Sequence, residues 1–196
     1  MAKLIGLHGK MHTGKSAVAK LIKQKDPNRI EIMSFAGKLR EVLNVLGIQE
    51  TRESMQQVGQ GLRDVWPDVW VKAVHKDVQR RLNLGHSVIF DDLRYLNEFD
   101  YIREENGLLV KLYADEEVRW DRYQKSSKWE PGATREKWNY AQTHSSELEL
   151  DDKELGWNLS IDTNNLSKRD MNGVADALVI SLQGMRNIND RRNLDS

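Results

Sequence analysis

Residues Gly9 to Ser16 read Gly-Lys-Met-His-Thr-Gly-Lys-Ser, a complete Gly-x-x-x-x-Gly-Lys-Ser loop. That spacing suits the cradling of phosphate. Glycines let the backbone aim its N–H groups at one small volume, the lysine reaches the outer phosphates of a nucleotide, and the serine hydroxyl ligates Mg²⁺. The apolar run Leu4-Ile5-Gly6-Leu7 precedes the loop, and Ala17 to Ile22 continues it with helical periodicity. A strand, a glycine-rich turn and a helix bring the positive end of a helix dipole to the same point. Gly9, Lys10, Met11, His12, Thr13, Gly14, Lys15, Ser16 and Ala17 are therefore expected to hold a nucleoside triphosphate. Lys15 would meet its β- and γ-phosphates and Ser16 its metal ion.

The elements that must position this loop alternate along the chain. Strand-like runs lie near Lys3–Leu7, Ile30–Phe35, Ser87–Asp91, Leu108–Tyr113 and Leu159–Asp162. Between them are helical stripes: Leu39, Val42, Leu43 and Leu46; Val71, Val74, Val78 and Leu82; and Val174, Leu178, Leu182 and Met185. Pro67 suits a first helical position and Gly85 lies just past a helix end. Alternation of this kind predicts an α/β fold with a mainly parallel sheet. Asp91 and Asp92 follow Val88-Ile89-Phe90, at a strand's C-terminal end, where open parallel sheets bind ligands. The polar segments Gln49–Trp66, with Gly59 and Gly61, and Asp115–Glu147 fit the alternation poorly. Long polar insertions of this sort are candidates to close over a substrate. In the second, aromatic residues and Pro131-Gly132 suggest helices joined by a turn. The stretch from Asn187 to Ser196 is polar and reads as frayed.

Composition narrows the function. With 196 residues, one domain or one domain with a mobile excursion is expected. Lys plus Arg equals Asp plus Glu at 30 each, so the net charge is zero and a broad nucleic-acid footprint is not expected. The chain has no cysteine, which excludes disulfides, thiolate metal sites and thiol nucleophiles. No apolar run approaches the roughly 20 residues of a membrane span, and no signal-peptide pattern is present, so a cytoplasmic protein without membrane partners is expected.

Five pieces taken together carry a family resemblance: Gly9–Ser16; Ser34-Phe35-Ala36 with Lys38-Leu39; Gln57-x-Gly59-x-x-x-Arg63 with Trp70; Asp91-Asp92-Leu93-Arg94-Tyr95-Leu96-Asn97-Glu98; and His144-Ser145-Ser146-Glu147. In this order and spacing the chain resembles the phage-type deoxynucleoside monophosphate kinases, within the P-loop nucleoside-monophosphate kinase group. The resemblance implies a P-loop kinase fold, a five-stranded parallel sheet flanked by helices. A flap over about residues 37–66 would bind the monophosphate, and a lid over residues 115–147 would cover ATP. The implied reaction moves the γ-phosphoryl of ATP to a deoxynucleoside monophosphate with Mg²⁺ present, in a monomer or homodimer, in the host cytoplasm if phage-encoded. Catalysis in such a reaction is alignment and positive charge, with closing loops that exclude water.

The resemblance also implies roles for single residues. Asp91 would hold Mg²⁺ in the manner of a Walker B residue, with Asp92 nearer the acceptor; a strand-end turn or helix cap is the alternative for both. Arg94 would grip the acceptor phosphate or the transferred group, unless it pairs with Glu98. Arg63 is the first choice for a planar, bidentate phosphate donor. Arg119 and Arg122, spaced i, i+3, share a helix face and could meet the phosphates as a lid closes, or pair with Asp115, Glu116 or Asp121. Phe35, Ala36, Lys38, Trp70, His144 and Glu147 are candidates for acceptor contacts, although His144 or Ser146 could cap a helix and Lys38 could be surface charge. Asn164, in Asp162-Thr163-Asn164-Asn165, would lie beside adenine or in a plain turn. His12 is expected to contribute its amide rather than its ring. Trp70 and Trp120 are the tryptophans to test for base stacking.

Other classes fit less well. Another small-molecule P-loop kinase, such as a dephospho-coenzyme A kinase, would share the loop and sheet but not the other segments. A guanine-nucleotide switch protein would need an Asn-Lys-x-Asp motif, which the chain lacks, and Asp91-Asp92-Leu93-Arg94 has no glycine where an Asp-x-x-Gly switch would need one.

Overall fold

The apolar runs become β1 (Leu4–His8), β2 (Ile30–Met33), β3 (Ser87–Leu93), β4 (Leu108–Tyr113) and β5 (Leu159–Asp162) in a computed structural model describing residues 3–126, 133–143, 145–151 and 155–192. They pair in parallel throughout, in the order β2-β3-β1-β4-β5. Every residue of β1 is buried, as expected of a central strand covered on both faces. The sheet is the five-stranded parallel sheet expected from the sequence.

Helices cover both faces. On one side α1 (Lys15–Lys25) and α9 (Lys168–Arg192) pack Val18, Ile22, Ala175, Leu178 and Leu182 against Ile5, Leu7 and Val110. On the other, α2 (Phe35–Val45), α4 (Val69–Asn83) and α5 (Leu96–Glu104) bury Phe35, Val74, Val78, Phe99 and Ile102 against Leu4, Val88, Phe90 and Leu109. Each such side chain contributes about 1.5–3 kcal/mol by leaving water. A smaller cluster of Leu39, Leu43 and Trp70, joined by Val58 and Leu62, ties α3 (Arg52–Val65) to α2 and α4. The chain between β4 and β5 carries α6 (Glu116–Gln124), α7 (Arg135–Ala141) and α8 (Ser145–Leu148).

Local expectations differ from this structure in four places. β3 continues two residues beyond the expected Asp91, through Leu93, so Asp92 as well as Asp91 is a strand residue and the alternative of a strand-end turn is not taken. Gln49–Trp66 contains one helix, capped by Thr51, whose side chain accepts from Ser54 N. Its two internal glycines, each costing about 1 kcal/mol, hid it from periodicity. A Cβ on Gly59 would come within 3.0 Å of Leu39 Cδ2, so the glycine allows α3 to approach α2 closely. Pro67 lies in the turn before α4, not inside it. Finally, α9 extends through Asn187 to Arg192, where fraying was expected. Lys128, Trp129, the Pro131-Gly132 turn and His144 lie outside the described residues. Among the described residues no helix is long and apolar enough to cross a membrane.

Candidate active site

The loop after β1 is held in a shape that only some residues permit. Gly9 has φ +147°, and a Cβ there would lie 2.3 Å from the Leu112 carbonyl oxygen. Gly14, at φ 99°, is the N-cap of α1, and no side chain caps that helix. The first amides of α1 therefore face the cleft for an anionic guest. Lys15 folds over the loop, donating to Gly9 O and, at 2.8 Å, to Lys10 O. Burial, then the nearby Arg94 charge, lowers its ammonium from 10.5 to about 7, against the pull of Glu147, Asp91 and Asp92.

A cleft of about 670 Å³ opens over this loop. Its walls include Met11, His12, Gly14, Lys15, Ser16 and Ala17 on one side, and Phe35, Ala36, Arg63, Asp91, Asp92 and Arg94 on the other. The sheet brings the two sides together, because β1 and β3 are neighbours and His8 is in register with Leu93.

The two aspartates have different surroundings. Asp92 accepts from Ser34 Oγ at 2.6 Å, Phe35 N at 3.1 Å and Ala36 N at 3.0 Å. It thus ties the start of α2 to β3, and burial pushes its carboxyl up despite those bonds. This is the helix-cap alternative realised, although Asp92 still lines the cleft. Asp91 shares the cleft wall with Ser16. One hydroxyl and one carboxylate, with water completing the shell, suit Mg²⁺ beside phosphate. Among the described residues no group of three His, Asp or Glu side chains offers an alternative metal centre.

Arginines line the side of the cleft facing the phosphate loop. Arg63, from α3, stacks its guanidinium 3.8 Å over the Tyr95 ring and donates to Glu98 Oε1 at 3.3 Å and Gly59 O at 3.3 Å. Glu98 is buried and also accepts from Arg94 N at 2.9 Å and Tyr95 N at 3.2 Å. Burial, then the Asp92 charge, raises its carboxyl to about 7. The alternative of an Arg94–Glu98 side-chain pair is not realised among the described residues; the Arg94 guanidinium instead meets Glu147. Arg40 and Tyr95 also line the cleft and were not singled out from the sequence. The signal for Arg40 was present, since it follows Ala36 by four residues on one helix face.

Several expected site residues point elsewhere. Lys38 pairs with Glu41 at 2.8 Å and Asp77 at 2.9 Å on the surface of α2. Trp70 is buried with Leu39 and Leu43, and its Nε1 donates to Gly59 O at 3.2 Å. Lys10 turns away from the loop to Asp151, 2.8 Å distant. Thr13 is buried and donates to Lys10 O. Glu147 does not line the cleft but sits behind Arg94. Asn164 accepts from Asp115 N at 2.7 Å through its side chain, which holds β5's outgoing turn to the start of α6.

Arg119 and Arg122 do not share a task. Arg119 is buried, donating to Ala114 O at 3.1 Å and to Gln142 Oε1. Arg122 donates to His12 O at 3.3 Å, Thr163 Oγ1 at 3.2 Å and Thr163 O. Neither makes the pairs with Asp115, Glu116 or Asp121 that periodicity offered. The His12 ring, expected to be incidental, lies 5.1 Å from Tyr123 and 5.5 Å from Trp138.

A family profile described as an AAA domain matches residues 5–147. No curated protein matches the sequence at a significant level. Solved structures do match in fold. A gluconokinase from Sinorhizobium meliloti is 18% identical, with 99% of this chain and 97% of that one covered and a TM-score of 0.54. A sugar kinase from Janibacter sp. is 17% identical, with 89% and 92% covered and a TM-score of 0.56. The Mycobacterium tuberculosis APS kinase in complex with AMPPNP and APS is 16% identical, with 93% and 98% covered and a TM-score of 0.54. The fold is that of the P-loop kinases.

Proposed function

The chain belongs to the AAA-domain family matched over residues 5–147, and from that premise we propose that it is an ATP-dependent kinase transferring the γ-phosphoryl group to a deoxynucleoside monophosphate. The observation that carries this reading is the single cleft that joins the phosphate loop to Arg40, Arg63 and Arg94. A triphosphate on the loop and a dianionic phosphate under those arginines would meet between Lys15 and Arg94.

An acceptor phosphate is already a nucleophile, so no general base is required. Its oxygen attacks the γ-phosphorus in line while the bond to the β-phosphate oxygen breaks, giving ADP and a diphosphate. Lys15 and the amides of α1 balance charge on the donor, and Arg63 and Arg94 orient the acceptor. Ser16 and Asp91 would hold Mg²⁺, which neutralises charge on the phosphates. Residues 37–66 act as the acceptor flap and residues 115–147 as the lid over ATP. The carboxylate of Glu98 supports the flap by fixing Arg63 and the backbone of Arg94.

The test is direct. The purified protein is mixed with ATP, Mg²⁺ and each deoxy- and ribonucleoside monophosphate, and ADP and new diphosphate are measured. Diphosphate formed from deoxynucleotides, and lost in Lys15→Ala and Arg63→Ala, supports the reading. ATP binding with no monophosphate phosphorylated overturns it and moves the search to hydroxyl acceptors, beginning with dephospho-coenzyme A.

A further inference from the structure

His12 occupies the fourth position of the phosphate loop, where the sequence pattern specifies nothing. The structure makes it specific. Its φ of 62° lies in the left-handed region, one of two non-glycine residues so placed among the described residues. Such a backbone is unfavourable for a residue with a side chain and persists where contacts hold it. Those contacts come from α6 and α7.

The imidazole packs against Tyr123 of α6 and Trp138 of α7, with ring centroids 5.1 Å and 5.5 Å away. Those two rings are stacked on each other, 5.0 Å apart and 21° from parallel. Aromatic rings at such distances attract one another beyond the area they bury. Trp138 is buried although its Nε1 has no hydrogen-bond partner among the described residues, so ring contacts hold it there. The backbone is gripped as well. His12 O accepts from Arg122 at 3.3 Å, and Thr13 O accepts from Thr163 Oγ1 at 2.9 Å. Residues 12 and 13 are therefore fixed from α6, α7 and the turn after β5, while the Lys15 amine fixes residues 9 and 10 from within the loop.

We propose that His12 is a positioning residue that keys the α6–α7 lid to the phosphate loop, so that lid closure sets the loop for transfer to an acceptor rather than to water. The lid and the transfer half of this statement rest on the kinase reading above; the packing of α6 and α7 on the loop does not. Without the ring, the lid closes without registering the loop. Water then reaches the γ-phosphorus more often, giving ADP and inorganic phosphate.

The test uses His12→Gly, which keeps the left-handed backbone and removes the ring, and His12→Phe, which restores a ring. Tyr123→Leu opens the slot from the other side and serves if a loop variant fails to fold. Tryptophan fluorescence on adding ATP with Mg²⁺ reports the lid, and the ratio of phosphate released to diphosphate formed reports coupling. We expect His12→Gly to raise the KM for ATP roughly tenfold, about 1.4 kcal/mol. It should also diminish the fluorescence change and increase the hydrolysis ratio, with Tyr123→Leu doing the same and His12→Phe recovering most of the loss. Wild-type KM, fluorescence change and ratio in both His12→Gly and Tyr123→Leu would overturn the proposal. Equal defects in His12→Phe and His12→Gly would also overturn it. If the wild type shows the fluorescence change but phosphorylates no monophosphate, the acceptor reading fails. The variants' KM for ATP in hydrolysis and their fluorescence then still decide the coupling.

Discussion

Glu147 lies against the guanidinium of Arg94 with only 4% of its surface exposed, and its second oxygen, Oε2, has no hydrogen-bond partner among the described residues. The segment between β4 and β5 thus sets a buried carboxylate behind Arg94, the arginine that the proposed acceptor needs, without lining the cleft itself. Removing one member of a buried pair strands the other, at a cost of about 3–5 kcal/mol. Arg94→Ala is expected to lose stability on that scale in urea unfolding. Arg94→Met with Glu147→Leu should recover most of the stability and none of the transfer activity. A loss below about 1 kcal/mol in Arg94→Ala would show that solvent reaches the pair.

The lowered ammonium of Lys15 makes ATP binding pH-dependent. Free, it ionises at about 7 because of burial and then Arg94, against 10.5 in an unfolded chain. Between those values the unfolded state binds more protons, so the stability of the free protein should rise with pH across that window. Lys15→Met should flatten the rise. Phosphate favours the charged amine, so ATP binding near pH 8 should take up a proton and weaken as pH increases above 7. Calorimetry in buffers of different ionisation enthalpy reads the uptake directly; buffer-independent heats would contradict it.

The two aspartates should separate by assay. Asp92→Ala removes the acceptor for Ser34, Phe35 and Ala36, and a lost cap of this kind costs about 1–2 kcal/mol. Asp91→Asn, with its side chain on the cleft wall, should change stability by no more than about 0.5 kcal/mol. Its Mg²⁺-dependent turnover should fall roughly 10²–10³-fold. Matching melting temperatures for both variants would remove the structural role assigned to Asp92.

Trp70 is a structural residue in this fold. Trp70→Phe loses the Nε1 bond to Gly59 O and should cost about 1 kcal/mol, with the acceptor KM unchanged. A tenfold rise in that KM at unchanged stability would return Trp70 to the substrate.

Arg63 draws its position from the Tyr95 ring and Glu98 together. Arg63→Lys keeps the charge but not the planar stack or the two-pronged donation. It should raise the acceptor KM about tenfold, with the KM for ATP unchanged, in steady-state kinetics.

The sequence by itself determined the sheet and the phosphate loop. Both are local in origin: an apolar run buried on both faces has few alternatives to a central strand, and the Gly-x-x-x-x-Gly-Lys-Ser spacing sets its own turn. The five strand runs are found with boundaries shifted by at most two residues, and the stripe of Val74 and Val78 is buried as periodicity required. Only the tertiary structure decided which polar side chains face the cleft. Arg63, Arg94, Arg119 and Arg122 are alike as sequence. Arg63 and Arg94 reach the cleft because α3 and β3 end there, whereas Arg119 turns to Gln142 and Arg122 to the backbone of Thr163. The ring of His12 found its slot through residues more than a hundred positions away, a contact that no periodicity encodes. Long-range partners settle where a flexible charged or aromatic side chain rests, because burial and hydrogen bonding reward only the geometry the whole fold provides.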